Sequence, residues 1–272
     1  MTLSQAFELG SSQLGSTTAR SDAETLLRHV LGISRVEFFL RLDRPLDDTA
    51  AKTYFELINR LAAGEPLQYL TGYMEFYRLD FYVNSSVLIP RPETEIMVGK
   101  ALEIARTYVN PVIADVGCGS GAVAVTLAKN LPQSRIFALD ISTAALDLAR
   151  RNALLHNCIN IEFIESDLLD AVTGRRLDII CANLPYVPSA EARNNCFEPQ
   201  LALDGGSAGL DVIRRLVQQT AAREAKPDWL LLEFGTGQAE AVTSILEGQL
   251  RGSRTEILRD LIPVERVSVT RL

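Results

Sequence analysis

Residues 111–131, PVIADVGCGSGAVAVTLAKNL, decide the fold of this 272-residue chain. The segment joins an apolar strand pattern to a helical pattern through three glycines at alternate positions, Gly117, Gly119 and Gly121. Glycine has no Cβ, so such a loop can turn tightly and let a ligand lie against its backbone. The segment has neither the GxGxxG spacing of dinucleotide sites nor the Gly-Lys-Ser/Thr of phosphate-binding loops. Its GxGxG spacing, preceded by an acid, favours a ligand without a diphosphate.

Strand and helix patterns alternate from this loop almost to the C-terminus. After the first pair, residues 135–140 form a strand pattern and residues 143–157 a helical pattern. Three further strand patterns follow, at residues 160–167, 177–183 and 228–234. Strands separated by helices of this length predict a parallel sheet. Residues 255–272 predict two more strands that close one edge. We therefore expect an α/β fold with a mostly parallel, seven-stranded sheet.

The N-terminal part of the chain has a different pattern, in which apolar residues recur at helical spacing. Ser21-x-x-Glu24 and Ser34-x-x-Glu37 each fit a capping box and predict helix starts. A small helical domain is therefore expected before the α/β part.

Residues 74–84, MEFYRLDFYVN, alternate aromatic and polar side chains and predict a β-hairpin. We expect three parts in the chain. These are a helical substrate-recognition domain over residues 1–72, a β-hairpin linker over 73–90, and the α/β domain over 91–272.

Composition and charge exclude several classes of protein. The net charge of −7 disfavours a free duplex-DNA binder, which usually shows a basic face, but it does not exclude a local basic groove. The four cysteines lack CxxC spacing and there are two histidines, so no metal site is expected. No apolar run reaches the ~18 residues of a membrane span. We expect a cytoplasmic protein that does not associate with membranes.

Two carboxylates follow neighbouring strand patterns at the edge where open α/β sheets bind ligands. Asp140 ends the second strand pattern, where a carboxylate can accept hydrogen bonds from both hydroxyls of a ribose. Asp167 ends the third, where it can accept from an adenine amino group. With the glycine loop, this pattern resembles the class I S-adenosylmethionine-dependent methyltransferases. The resemblance implies a Rossmann-like fold and S-adenosyl-L-methionine as cofactor.

Residues 181–188, CANLPYVP, follow the fourth strand and are expected to lie at the same edge. An amide or exocyclic amino nitrogen is a weak nucleophile with two N–H donors. The side-chain oxygen of Asn183 and the carbonyl of Leu184 can accept one each. Pro185 restricts Leu184 to an extended backbone, and the Tyr186 ring offers a face to a planar amide or base. The alternative is a simple strand-ending turn, since Asn and Pro are common turn residues.

Four segments resemble the HemK/PrmC family in the same order along the chain: residues 64–95, which include IPRPETE, DVGCGSG at 115–121, CANLPYVP at 181–188, and FEPQLALDGG at 197–206. That family methylates the glutamine side chain in the Gly-Gly-Gln loop of peptide-chain release factors. The resemblance implies an S-adenosylmethionine-dependent protein-glutamine N-methyltransferase. Its partners would be release factors, with no stable nucleic-acid partner, and we expect a monomer.

The resemblance also implies roles for individual residues. The cofactor would contact Gly117, Cys118, Gly119, Ser120, Gly121, Asp140, Asp167, Leu168 and Asn183, with Asp167 and Leu168 along the adenine. The catalytic, substrate-binding group would be Asn183, Leu184, Pro185 and Tyr186. Leu184 departs from the family, whose commonest motif has proline there.

Two other functions remain open at the level of sequence. NLPY also occurs in ribosomal-RNA adenine dimethyltransferases, so an adenine amino-group methyltransferase acting on RNA or DNA is the alternative. Such an enzyme needs basic and aromatic residues around its cleft, and residues 1–95 contain no Lys/Arg cluster. A non-catalytic cofactor-binding adaptor would be indicated by loss of Asn183 or Tyr186, and both are present.

Overall fold

The computed structural model describes all 272 residues and divides into two compact units, Met1–Tyr73 and Met74–Leu272. The first unit contains five helices: α1 Leu3–Leu14, α2 Ala19–Leu31, α3 Arg35–Leu40, α4 Asp48–Ala62 and α5 Leu67–Thr71. Their apolar faces enclose one core, whose largest fully buried side chains are Tyr54, Phe38, Leu26, Leu27 and Ile58. This confirms the expected helical region.

Capping boxes mark where two of these helices begin, and the Asp47 side chain caps a third, α4. The capping box predicted at Ser34 is confirmed, because Ser34 Oγ accepts from the Glu37 N–H at 3.2 Å and Glu37 Oε2 accepts from the Ser34 N–H at 2.9 Å. A second capping box, missed in the sequence, joins Thr2 and Gln5 at the start of α1. Each such cap stabilises its helix by roughly 1 kcal/mol.

The capping box predicted at Ser21 is wrong. Helix α2 already begins at Ala19, so Ser21 lies inside the first turn and its carbonyl accepts from the Thr25 hydroxyl. Glu24 is buried and forms ion pairs with Arg28 and Arg35. The Ser-x-x-Glu pattern gives a wrong prediction here because the glutamate serves in buried ion pairs and not in a helix cap.

The second unit contains the sheet, seven helices and all of the hairpin except its first residue, Tyr73. The hairpin strands are β1 Tyr73–Phe76 and β2 Leu79–Tyr82, and the sheet strands are β3 Val112–Val116, β4 Arg135–Asp140, β5 Ile161–Glu165, β6 Ile179–Ala182, β7 Trp229–Glu233, β8 Arg254–Arg259 and β9 Glu265–Arg271. The helices are α6 Thr94–Ala105, α7 Ala122–Asn130, α8 Thr143–Leu155, α9 Ser189–Ala192, α10 Gln200–Leu203, α11 Asp211–Ala222 and α12 Ala239–Gln249. No helix is both long and apolar enough to cross a bilayer.

The seven sheet strands have the order β5-β4-β3-β6-β7-β9-β8. All pairs from β5 to β7 are parallel, while β9 runs antiparallel to both β7 and β8. Alternate residues of the strands contribute to two separate cores, one packed under α6, α7 and α8 and the other under α11 and α12. The predicted α/β fold with a mostly parallel, seven-stranded sheet is confirmed.

The hairpin is packed against the α/β core. Phe76 and Phe81 are fully buried in the core under α6, α7 and α8. The Asn152 side chain on α8 accepts from the Tyr82 N–H at 2.8 Å and donates to the Tyr82 carbonyl at 3.0 Å, as a neighbouring strand would. The predicted hairpin is therefore present, and its central residues belong to the second unit. The three functional parts expected along the chain stay a prediction.

Candidate active site

A cavity of about 690 Å³ lies at the carboxyl edge of the parallel strands, a size typical of small-molecule sites. Most of the predicted site residues line it: Gly117, Cys118, Gly119, Ser120, Asp140, Asp167, Leu168, Asn183, Leu184 and Pro185. Gly121 and Tyr186, also predicted, lie outside its lining. The fold thus brings the two sequence motifs, far apart along the chain, to one cleft.

The three glycines of the loop are required for different reasons, although all have positive φ. A Cβ at Gly121 would lie 2.9 Å from the Cβ of Ala149, so this glycine lets α7 and α8 pack closely. A Cβ at Gly117 would lie 3.2 Å from a methyl group of Leu184. A Cβ at Gly119 would meet no atom within 4 Å, so the backbone there stays open to the cavity. Gly119 is the position where a ligand can lie against the main chain.

Asp140, at the end of β4, supports the glycine loop from inside the cavity. Its Oδ2 accepts from the Gly119 N–H at 2.8 Å and its Oδ1 from the Ser142 N–H at 2.9 Å. Burial raises the pKa of Asp140, although these two hydrogen bonds oppose the shift. Each carboxylate oxygen retains acceptor capacity for a ligand hydroxyl.

Asp115, the acid before the glycines, is a cavity residue that the sequence did not assign to the site. It is 2% exposed, and its Oδ2 accepts from the Ala124 N–H in the first turn of α7 at 2.9 Å. Burial, with a smaller contribution from the nearby charge of Asp140, raises the pKa of Asp115 to about 7.

The charges around the cavity favour a cationic ligand over a polyphosphate. Four carboxylates line it, from Asp115, Asp140, Asp167 and Asp204, against the two guanidinium groups of Arg91 and Arg215. Both guanidinium groups are already paired, Arg215 with Asp167 at 2.6 Å and Arg91 with Glu198 at 2.6 Å. The open glycine backbone, the Asp140 acceptor and the surplus of negative charge fit S-adenosylmethionine, whose sulfonium is positively charged.

The carboxylate of Asp167 has a partner that the sequence did not reveal. Asp167 lies two residues beyond the end of β5, and its Oδ2 accepts from Arg215 on α11. Both side chains are about half exposed at the rim of the cavity. The contact of Asp167 with an adenine stays a prediction.

Two hydrogen-bond acceptors of the loop after β6 remain without a partner in the protein. The Asn183 side chain donates from Nδ2 to the Thr94 hydroxyl at 3.0 Å, which leaves its Oδ1 free. The carbonyl of Leu184 accepts no hydrogen bond, while the Leu184 side chain is buried at 3% exposure. Both residues line the cavity. The loop therefore offers two adjacent free acceptors beside the glycine loop.

A glycine-rich segment supports the other side of this loop. A Cβ at Gly205 would lie 2.5 Å from the Pro185 carbonyl oxygen, and one at Gly209 would collide with the Tyr186 carbonyl oxygen. The Gln238 side chain donates to that same Tyr186 oxygen at 3.0 Å. These supporting residues escaped sequence reasoning, although the Gly-Gly pair lies in the segment 197–206 that carries the family resemblance.

Tyr186 points away from the cavity lining and into a buried polar pocket. Its hydroxyl donates to Oε1 of Glu233, at the end of β7, at 3.2 Å. Glu233 is 1% exposed, and burial raises its pKa to about 7. Burial also raises the pKa of Tyr186, so its hydroxyl stays protonated. The stacking of Tyr186 on a planar substrate stays a prediction.

Glu198 connects the segment before α6 to the segment before α10. Its Oε1 accepts from the Ile89 N–H at 3.2 Å, and its Oε2 accepts from Arg91 at 2.6 Å and from Asn195 at 3.1 Å. The side chain of Glu198 is 5% exposed, so these donors compensate a nearly complete loss of hydration. The arginine of IPRPETE thus helps to build the cavity wall.

Solved structures with this fold include methyltransferases. The hMettl16 catalytic domain in complex with MAT2A 3′UTR hairpin 6 superposes with a TM-score of 0.58 and 14% identity, covering 82% of this chain and 81% of that chain. A SAM-dependent methyltransferase from Agrobacterium tumefaciens gives a TM-score of 0.52 at 14% identity, covering 73% and 68%. At this identity the likeness shows the fold alone.

Sequence comparisons identify the family. Residues 5–72 match the PrmC N-terminal domain and residues 99–201 the methyltransferase small domain. The release factor glutamine methyltransferase of Koribacter versatilis (strain Ellin345) is 39% identical over 100% of this chain and 99% of its own length. That of Moorella thermoacetica is 41% identical over 90% and 89%. With its fold and its cleft, this chain is an S-adenosylmethionine-dependent methyltransferase that belongs to the release factor glutamine methyltransferase family.

Proposed function

We propose that this protein methylates the side-chain amide nitrogen of the glutamine in the Gly-Gly-Gln motif of peptide-chain release factors. The observation that supports this proposal is the pair of free acceptors, Asn183 Oδ1 and the Leu184 carbonyl, at the cavity beside the glycine loop. A primary amide has two N–H donors on one nitrogen, which matches two adjacent acceptors.

The cofactor site is proposed to comprise the glycine loop and the carboxylates around it. Gly117 through Gly121 would accommodate the ligand against the backbone, Asp140 would accept from the ribose hydroxyls, and Asp167 with Leu168 would lie along the adenine. When bound, S-adenosylmethionine supplies a methyl group on a positively charged sulfur, already activated for transfer.

The loop residues Asn183 to Tyr186 are proposed to orient the glutamine. Because an amide lone pair is delocalised, the nitrogen reacts slowly unless it is held in place. Asn183 Oδ1 and the Leu184 carbonyl would each accept one N–H, and Pro185 keeps that carbonyl in an extended backbone. Positioning of this kind can supply roughly 7–11 kcal/mol of the barrier. The surplus proton can leave to water after transfer, so no strong base is required.

Substrate recognition and setting are also proposals. Helical residues 1–72 would bind the release factor, which their match to the PrmC N-terminal domain supports. We propose that the enzyme acts in the cytoplasm as a monomer and holds no stable nucleic-acid partner, in keeping with its net charge of −7.

A direct test measures tritiated-methyl transfer to purified release factor and, separately, to RNA and DNA. We expect label in the release factor alone, and loss of that label when its Gly-Gly-Gln glutamine is replaced by alanine. Transfer to RNA or DNA, with none to release factor, would instead establish the adenine-methylating alternative.

A further inference from the structure

We call residues 183–186, the loop after β6, the acceptor loop. Two buried side chains next to it, Thr94 and Glu233, have no role in the proposed function. Thr94, the first residue of α6, is 4% exposed, and Glu233, the last residue of β7, is 1% exposed. Thr94 Oγ1 accepts from Asn183 Nδ2 at 3.0 Å, and Glu233 Oε1 accepts from the Tyr186 hydroxyl at 3.2 Å. We call Thr94, Asn183, Tyr186 and Glu233 the Glu233 network.

The donors and acceptors of the network fix where each proton lies. Because Thr94 Oγ1 accepts from Asn183, its own proton must point elsewhere. The Thr94 hydroxyl is near enough to the Glu233 carboxyl to lower its pKa, and Glu233 Oε2 is fully enclosed and accepts no hydrogen bond in the structure. An ionised Glu233 can therefore accept from both the Thr94 and the Tyr186 hydroxyls. This arrangement directs Asn183 Nδ2 inward and leaves Asn183 Oδ1 for the cavity.

A neutral Glu233 supports a different arrangement. A protonated carboxyl donates one hydrogen bond, so one of the two hydroxyls loses its acceptor. The Thr94 proton can then turn to Asn183, whose amide must rotate to present oxygen to Thr94. The rotated amide would place an N–H in the cavity, where the glutamine nitrogen needs an acceptor. The charge on Glu233 would thus select between a productive and a non-productive orientation of Asn183.

The charged groups that face Glu233 come from two neighbouring elements. Glu93, immediately before α6, raises the pKa of Glu233, and Arg266 on β9 lowers it. Burial is the largest influence and raises this pKa to about 7. Arg266 is itself paired with Asp260 at 3.0 Å, which weakens its effect on Glu233. Both states of Glu233 are therefore accessible near neutral pH.

We propose that Glu233 is a positioning residue for methyl transfer, whose carboxylate fixes the amide of Asn183 and the hydroxyl of Tyr186 through this network. The inference rests on the proposed glutamine transfer and deepens it. A purely structural role for a buried polar network would change stability and leave the pH profile of the reaction unchanged.

The test uses full-length protein with Glu233→Gln, whose amide cannot accept from both hydroxyls. We expect kcat for release factor to fall about ten-fold to a hundred-fold, with KM and cofactor affinity within about two-fold of wild type. Wild-type kcat should rise with pH through an apparent pKa near 7, and the variant should lose that dependence. Asp178→Asn is the control, since it neutralises a carboxyl of 3% exposure at the opposite edge of the sheet and should leave kcat unchanged.

Further variants separate positioning from folding. Thr94→Val breaks the network without removing a charge and should reproduce the fall in kcat, while Thr94→Ser keeps the hydroxyl and should keep the wild-type pH profile. In an Asn183→Ala background, Glu233→Gln should cause a smaller loss of kcat than in wild type, because the part of its effect that acts through Asn183 is already gone.

A readout without release factor keeps this inference distinct from the proposed function. The side-chain amide signal of Asn183, assigned by its absence in Asn183→Ala, should shift with pH around 7 in wild type and not in Glu233→Gln. Wild-type kcat and pH profile in Glu233→Gln, or an equal loss in both Asn183 backgrounds, would overturn the inference. Wild-type protein that transfers no label to release factor would instead overturn the proposed function, and the amide signal would still test Glu233.

Discussion

Replacing Asp140 with asparagine is expected to weaken cofactor binding without weakening the fold. In the structure each carboxylate oxygen of Asp140 accepts one backbone N–H, from Gly119 and from Ser142, and retains capacity for a ligand hydroxyl. Asparagine keeps one acceptor oxygen and places an NH₂ group where the other oxygen accepted. A hydrogen bond to a charged group contributes about 1.5–3 kcal/mol, so Kd should rise about ten-fold to over a hundred-fold.

The stability of the same variant should change in the other direction or not at all. Because burial raises the pKa of Asp140 in the folded state, its ionised form opposes folding. The contribution of Asp140 to the free energy of unfolding is favourable at low pH, where its carboxyl is neutral. It is lost as pH rises through the pKa of Asp140 in the folded state. At pH 7 the neutral asparagine avoids this desolvation cost, which offsets the hydrogen bond that one backbone N–H loses, so the free energy of unfolding should not fall.

Calorimetric titration with S-adenosylmethionine and urea unfolding measure the two quantities. Asp147→Asn on α8 is the matched control, since that carboxylate is 78% exposed and pairs only with Arg150. Its Kd should equal that of wild type. A folded Asp140→Asn or Asp140→Ala protein with wild-type affinity would refute the assignment of Asp140 to the ribose.

Three further changes test other parts of the site. Gly209 has φ +71° and lies against the Tyr186 carbonyl, so Gly209→Ala should displace the acceptor loop. Transfer to release factor should fall at least about ten-fold, while the cofactor affinity measured by calorimetry stays that of wild type. Retained transfer would show that the loop tolerates the shift. Burial raises the pKa of Asp115 to about 7, so its contribution to stability is present below its unfolded pKa of about 3.9 and is lost as pH rises to about 7. Between about pH 5 and about pH 8, Asp115→Asn should therefore lose less of its free energy of unfolding in urea than wild type does. An equal loss in both proteins would show that Asp115 does not cause this pH dependence. Leu184→Pro should keep the rate of glutamine transfer within about ten-fold of wild type, or ~1.4 kcal/mol, because the main-chain carbonyl is retained. Collapse of glutamine transfer with gain of adenine transfer would show that the leucine side chain selects the acceptor.

Local sequence was sufficient for the strands of the sheet and for the two motifs of the cleft, but not for helices α9 to α12. The alternation of strands and helices predicted the parallel sheet, because each pattern reports which face of one segment is buried. The three glycines and the Asn-Leu-Pro-Tyr turn were found because both follow a strand directly. The capping box at Ser34 was predicted correctly because its two partners, Ser34 and Glu37, lie within one turn of helix.

The partners of those motifs were decided only by the tertiary structure. Thr94 and Glu233 lie far from Asn183 in sequence, yet all three meet because the carboxyl ends of β6 and β7 adjoin the start of α6. Thr94 lies in the IPRPETE stretch, but no sequence pattern shows that Thr94 or Glu233 contacts the loop after β6, since a threonine at a helix start and a glutamate at a strand end are common. Sequence specifies what a segment can do within a few residues. Which buried oxygen receives which proton depends on contacts between distant segments, where desolvation makes every unpaired polar atom costly.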